Sequence, residues 1–206
     1  VSIYVDGGGS ATGIAALAKN ESDISLASRP LLPSEAKMLS EEFGYLGVAI
    51  RVAKDAICVY VHPSNPVQDI SSASLKKIYS GEIGSWKELG GWDQRLKLIS
   101  RAPNSGTHLY FREHVLAGGA YAGHVEIKPT NRAVAKAVFA DSSAIGYGGY
   151  AYGSDVQHCR IDGVEPSESN IRNDLYPLSR YLYFYTVKKP TGVSKKFLDW
   201  VMTREG

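Results

Sequence analysis

Two short segments carry residue types suited to holding an anion. In Val5-Asp6-Gly7-Gly8-Gly9-Ser10-Ala11-Thr12-Gly13, a strand-like stretch runs into three glycines and a helix start. In Ile99-Ser100-Arg101-Ala102-Pro103-Asn104-Ser105-Gly106-Thr107, a strand is followed by an arginine and by a helix that opens Ser-Gly-Thr. The first turn of a helix presents unpaired backbone N–H groups and a partial positive charge. Glycine lets a ligand approach that backbone closely. Serine and threonine add hydroxyls, and Arg101 adds a permanent charge on a planar fork that matches oxyanions. Together these make an anion site that needs no metal. Either segment alone reads more simply as a capped helix after a glycine turn, because such turns are common. Two of them, about 95 residues apart, fit two lobes that face one cleft.

Other chemistry fits less well. Gly8-Gly9-Ser10-Ala11-Thr12 is not the strained Gly-x-Ser-x-Gly turn of esterases, because Thr12 stands where the second glycine belongs. No Gly-x4-Gly-Lys-Ser/Thr loop is present. The five histidines (His62, His108, His114, His124 and His158) show no metal-ligand spacing. His108 follows Ser-Gly-Thr directly and falls near any anion held there. Cys58 and Cys159 form no Cys-x-x-Cys, which speaks against zinc or a thioredoxin-like motif and leaves buried thiols or a disulfide. No histidine or carboxylate is spaced to serve Ser10 or Ser105 as a base, so the reading is of a binding protein, not an enzyme, with no cofactor.

The elements around these segments alternate. Val1–Val5 alternates apolar and polar, as a strand does. Pro33-Ser34-Glu35 opens a helix with Met38 and Leu39 on one face and Gly44 as its stop. Ala56–Val61 is a near-continuous apolar run, predicted as a strand buried on both faces. Ser71 or Ser72 caps a helix with Leu75, Ile78 and Tyr79 inward, and Asn131 caps another. Strands follow at Leu96–Ser100, Ala144–Tyr147, Val156–Ile161 and Arg180–Val187. The last helix starts near Ser194, with Phe197, Leu198, Val201 and Met202 inward. This alternation predicts an α/β fold with mixed, mainly parallel sheets.

The chain has 206 residues, enough for one large domain or two small ones. With 44% hydrophobic and 21% charged residues it has a globular composition. Its net charge of +2 argues against a nucleic-acid surface, so an anion preference must be local. No apolar run approaches the roughly 18 residues of a membrane span. The chain opens on Val1 with no leader-like segment, as a processed product or fragment would.

In this order the motifs resemble those of the substrate-binding proteins of phosphate ABC transporters. The match runs through Gly7–Ile14, Asp23–Leu31, Val61–Val67, Ile78–Ile83 with Trp86, Arg101 with Ser105-Gly106-Thr107, Ala144–Tyr147, and Tyr176–Arg180 with Tyr183. The resemblance implies a two-lobed type II periplasmic-binding-protein fold. Lobe one would comprise residues 1–61 and 149–206, and lobe two residues 62–148. It implies phosphate, or a similar tetrahedral oxyanion, held in the cleft by Gly9, Ser10, Thr12 and Ser28 with Arg101, Ser105, Gly106 and Thr107. It also implies a membrane permease as partner and a periplasmic or cell-surface location. The alternative is a sensor, adhesion or scaffold domain with a degenerate site. Two departures stand out. The family's usual first strand, loop and helix are not recognisable, which would leave a sheet edge open to homodimerisation or strand exchange. Arg29 stands where family members carry an aspartate that accepts a phosphate proton. Arginine accepts no hydrogen bond, so Arg29 either adds charge to the site or forms a salt bridge at its rim.

Overall fold

The computed structural model of the protein describes residues 2–206. Helix α1 (Ser10–Ala18) comes first, then strand β1 (Ser25–Ala27), helix α2 (Pro33–Phe43) and the long strand β2 (Val48–Val61). Next are β3 (Asp69–Ile70), α3 (Ser72–Ser80), a 3-10 turn at Trp86–Leu89, β4 (Lys97–Arg101) and α4 (Gly106–His114). Strand β5 (Glu126–Lys128), α5 (Asn131–Phe139) and β6 (Ala144–Gly149) lead to a second 3-10 turn at Tyr150–Tyr152. The chain closes with β7 (Gln157–His158), β8 (Arg160–Ile161), α6 (Glu168–Arg172), β9 (Ser179–Thr186) and α7 (Gly192–Val201).

The chain divides into two compact units. The first comprises Val1–Ala53, Asn104–Gly106 and Tyr181–Gly206; the second comprises Lys54–Pro103 and Thr107–Arg180. The divisions fall within β2 and β9, whereas the lobes expected from sequence join at 61/62 and 148/149. The short stretch Asn104–Gly106 belongs with the first unit although its covalent neighbours belong to the second.

In the first unit β1 pairs antiparallel with β9, Leu26 opposite Phe184. Helices α1 and α2 bury Ile14, Leu17, Ala18 and Leu39 against Ala27 and Tyr185. Helix α2 begins as its sequence dictates. Pro33 occupies the first turn, Glu35 accepts from the Leu32 N–H at 2.8 Å, and Gly44 ends the helix at φ 74°.

The second unit is built on a mixed sheet. Strand β2 runs antiparallel to β6, and β4 runs parallel to both β6 and β5. Residues 56–61 of β2 are all fully buried, as a strand covered on both faces requires. Tyr79 lies edge-on to Phe111 and Tyr147, and Phe111 stacks on Tyr147 with centroids 3.9 Å apart. The Tyr79 hydroxyl is not orphaned in this core: it donates to the Ile99 carbonyl at 3.1 Å. Trp86 is fully buried and donates from Nε1 to the Ser143 carbonyl at 2.9 Å.

Several expectations change. Residues 2–5 form no strand; Tyr4 is 91% exposed, and no neighbouring strand supplies the ladder bonds that alternation alone cannot. Val1, the other residue of that expected strand, lies outside the described residues. Met202, expected inward, is exposed, and Met38, expected on one face with the buried Leu39, is exposed too. The α5 cap is Thr130, whose hydroxyl accepts from the Ala133 N–H; Asn131 is the first helical residue and its side chain is used elsewhere. The strand expected at Val156–Ile161 is two short pieces, because β7 pairs with β2 and β8 with β3. Cys58 and Cys159 are buried free thiols. Tyr60 faces His158 across β2 and β7, so pleat alternation turns Cys58 and Cys159 to opposite faces of the sheet. Burial pushes the Cys159 thiol up to about 12.

Candidate functional site

In the first unit the two glycine-flanked helix starts converge. Gly9 precedes α1 at φ 96°, a conformation that an L side chain rarely adopts. A Cβ there would also stand 2.9 Å from the Asn104 carbonyl oxygen. Ser10 does not cap its own helix; its Oγ accepts from the Ser28 backbone N–H at 3.1 Å. That bond uses an acceptor lone pair of the hydroxyl and does not use its proton. A Cβ on Gly106 would collide with Ser10 Oγ and stand 2.5 Å from Ser28 Oγ. Glycine at 106 is therefore what lets the second helix start lie against the first.

The loop between β4 and α4 is pinned to the first unit by Asn104. Its Nδ2 donates to the Gly8 carbonyl at 2.9 Å, and its carbonyl accepts from the Ala11 N–H at 3.4 Å. Thr12 is drawn into the same brace, because its hydroxyl donates back to the Gly8 carbonyl at 3.0 Å. Gly9, Ser10 and Ser28 line a cavity of about 260 Å3 whose other walls are apolar, among them Leu26, Val52 and Phe184. Ser105 is buried.

The second unit holds the charged residues Arg101 and Arg180. The half-buried Arg101 leaves the end of β4 and donates from Nη1 to Asn131 Oδ1 and from Nη2 to the Pro129 carbonyl at 3.0 Å. Its Nε is buried without a partner. Burial lowers the Arg101 pKa; Tyr147 opposes that shift and the Arg180 charge adds to it. Thr107, in the first turn of α4, accepts from Arg180 Nη1 at 3.2 Å.

Behind Arg101 lies a buried hydroxyl chain. Ser100 Oγ is 3.2 Å from His108 Nδ1 and 2.6 Å from the Tyr147 hydroxyl, which is 2.8 Å from the Tyr121 hydroxyl. Tyr121 stacks on the His108 ring at 4.4 Å. Burial lowers the His108 pKa and raises that of Tyr147 to about 12, so both are neutral at ordinary pH. The chain ties the residue before Arg101 to the residue after Thr107 and so fixes both ends of the loop.

The three buried or half-buried arginines differ in their partners. Arg29, 3% exposed, forms a bidentate pair with Glu35 at 2.6 and 2.8 Å and donates to the Pro30 carbonyl. Arg180 is held by Asp55. Arg101 is bonded to neutral oxygens alone. Of the residues expected to hold a ligand, Gly9, Ser10, Ser28 and Gly106 are thus brought together in the first unit. Arg101 and Thr107 lie in the second. Arg29 takes up the salt-bridge reading, and Thr12 serves the glycine turn. Asn104, Asn131 and Asp55 were not singled out by sequence. Arg180 ends the run Tyr176-Pro177-Leu178-Ser179-Arg180, but its type alone assigned it no role.

Comparison with known proteins bears on the whole chain. A family model described as a PBP superfamily domain matches residues 1–205. The phosphate-binding protein PstS of Bacillus subtilis is 34% identical over 98% of this chain and 66% of its own length. PstS of Pseudomonas aeruginosa is 29% identical over all of this chain and 71% of its own. The chain thus spans about two thirds of these relatives. Among solved structures, one from Clostridium perfringens, described as a phosphate ABC transporter substrate-binding protein with bound phosphate, superposes with a TM-score of 0.87. It is 32% identical and covers 96% of this chain and 80% of its own. An ABC-type phosphate transport receptor from Vibrio cholerae gives a TM-score of 0.78 at 25% identity, over 95% of this chain and 80% of its own.

Proposed function

Because this chain belongs to the PBP superfamily, among the substrate-binding proteins of phosphate ABC transporters, we propose that it binds inorganic phosphate as an extracytoplasmic receptor that delivers it to a membrane permease. One observation carries the reading for this chain's own residues. Arg101 is the guanidinium left without a carboxylate, while Arg29 and Arg180 each have one. A half-buried charge without a counter-charge is costly in proportion to its burial, and an oxyanion ligand supplies the missing partner. Arg101 at the end of β4 in the second unit is a charged donor, and Ser10 at the start of α1 in the first is a neutral one; each is of a kind that oxyanions accept. Among the described residues no helix is long and apolar enough to cross a membrane.

Arg29 bears on ligand choice. Its guanidinium is committed to Glu35, so it adds little to the field at the ligand, and it cannot accept a phosphate proton. Discrimination against sulfate then falls to hydroxyl and carbonyl oxygens. The degenerate-site alternative is not favoured, because relatives named for phosphate binding match the chain over nearly its whole length.

Calorimetric titration of the chain with phosphate tests the proposal. We expect binding by the wild type, and a loss of a few kcal/mol in Arg101→Ala, as when a buried charge-assisted pair is broken. Equal affinity in the two proteins overturns the role of Arg101, and no binding of phosphate at millimolar concentration overturns the receptor reading.

A further inference from the structure

The cavity beside Ser10 is larger than an inorganic anion needs. All of its lining residues belong to the first unit, and its volume is about 260 Å3. Even at a water's share of about 30 Å3 for each heavy atom, a phosphate of about five such atoms takes roughly 150 Å3 and leaves about 110 Å3, room for about three or four carbons. The wall that faces this spare room is a sheet. Strands β1, β9 and β2 lie side by side and contribute Leu26, Leu182, Phe184 and Val52. Leu26 stands opposite Phe184, so the pleat turns both side chains to one face. The Phe197 ring of α7 stacks on Phe184 at 6.1 Å and steadies it. Leu26 keeps 56% of its surface open. Among the described residues no charged side chain lines the cavity.

Such a wall selects by polarity. A sugar or glycerol arm would set hydroxyls against carbon and leave them unpaired, at a cost. A hydrocarbon arm would instead take apolar surface out of water on both sides of the contact. The other end of the cavity is polar: Gly9, Ser10 and Ser28 line it, and the Ser28 amide bond to Ser10 does not use the Ser10 proton. We infer that this cavity takes a phosphorus oxyanion that carries one short apolar arm, a phosphonate or a phosphate monoester, with its oxygens at Ser10 and its arm along Leu26, Val52 and Phe184. This rests on the oxyanion reading above and widens it from inorganic phosphate to substituted phosphorus oxyanions.

The test is a calorimetric series of inorganic phosphate and methyl-, ethyl- and propylphosphonate, with glycerol phosphate as the polar control. Affinity is expected to rise about two- to fourfold with each methylene, the scale of burying half or all of that group. Glycerol phosphate is expected to show no such gain. Propyl phosphate, titrated beside propylphosphonate, separates an ester ligand from a phosphonate by which of them binds tighter, and a gain by either supports the inference. Two variants report on the wall. Leu26→Asn makes it polar at an exposed position, and Val52→Phe fills the spare room; each is expected to abolish the gain with chain length and to leave the binding of inorganic phosphate unchanged. A flat or falling series, or an undiminished gain in both variants, overturns the inference and leaves the inorganic-phosphate reading intact. So does a chain that sediments as a dimer and becomes a monomer in Leu26→Asn, because a second copy then covers the wall. Binding of the phosphonates without binding of phosphate overturns the inorganic-phosphate reading alone. Failure to bind any member of the series overturns both.

Discussion

The two units differ in the kind of donor that each carries. The first carries neutral dipoles: the Ser10 hydroxyl, which accepts from the Ser28 amide, and the start of α1, packed closely because Gly9 and Gly106 carry no side chain. The second offers charge, with Arg101 held by Asn131 and Arg180 held by Asp55. Neutral donors work only through shape, so small steric changes should ruin them while salt leaves them alone. Guanidinium groups act at longer range, so they tolerate small displacements and respond to ionic strength.

Gly106→Ala strikes the first unit hardest. Its Cβ has no room beside Ser10 and Ser28, and a displaced loop should cost phosphate affinity more than a hundredfold in a calorimetric titration. An affinity within threefold of wild type would show that the loop adapts and that the neutral half is not governed by shape. Glu35→Ala should come next, this time in stability. It strands the buried Arg29 charge and removes the α2 cap, so urea unfolding should show a loss of about 3 kcal/mol. The salt dependence of binding should not change, because Arg29 is not the ligand's counter-charge.

Ser10→Ala sharpens the contrast between the units. It should weaken phosphate binding about tenfold, yet the slope of affinity against salt concentration should match wild type. Arg101→Ala should flatten that slope. Equal slopes in the two variants would erase the distinction between dipolar and charged halves. The smallest effect concerns pH. Burial holds the His108 and His158 pKa values below their usual 6.5. Below that pH the unfolded chain binds protons that the folded chain refuses, so stability should fall as pH drops beneath 6.5 and be fully restored above it. His108→Asn should reduce the slope of thermal stability between pH 6.5 and 5.

The periodic elements were legible in sequence because burial on one face imprints a period. Leu75, Ile78 and Tyr79 point inward on α3, and Ala56–Val61 is buried throughout, as their spacing requires. The expected strand at Val1–Val5 shows the limit: alternation says which face is apolar and not whether a neighbouring strand is present. The site followed the same division. Ser10, Ser28, Gly106 and Arg101 were recognisable as donors, glycines and a charge after strands. The holders were not, because a partner such as Asp55 for Arg180, 125 residues away, leaves no local signature. Arg29 shows why residue type alone misleads, since only the position of Glu35 decides whether a guanidinium faces a ligand or a helix cap.

The guanidinium of Arg101, held by neutral oxygens and no carboxylate, has a thermodynamic consequence for the empty protein. A fold that keeps a half-buried guanidinium bonded to neutral oxygens is weakest when no anion is bound, so its melting temperature becomes a reporter of anion concentration. At a hundred times the dissociation constant the bound state gains about 2.7 kcal/mol over the empty one. Heat resistance in this chain would therefore follow the supply of the ion it carries.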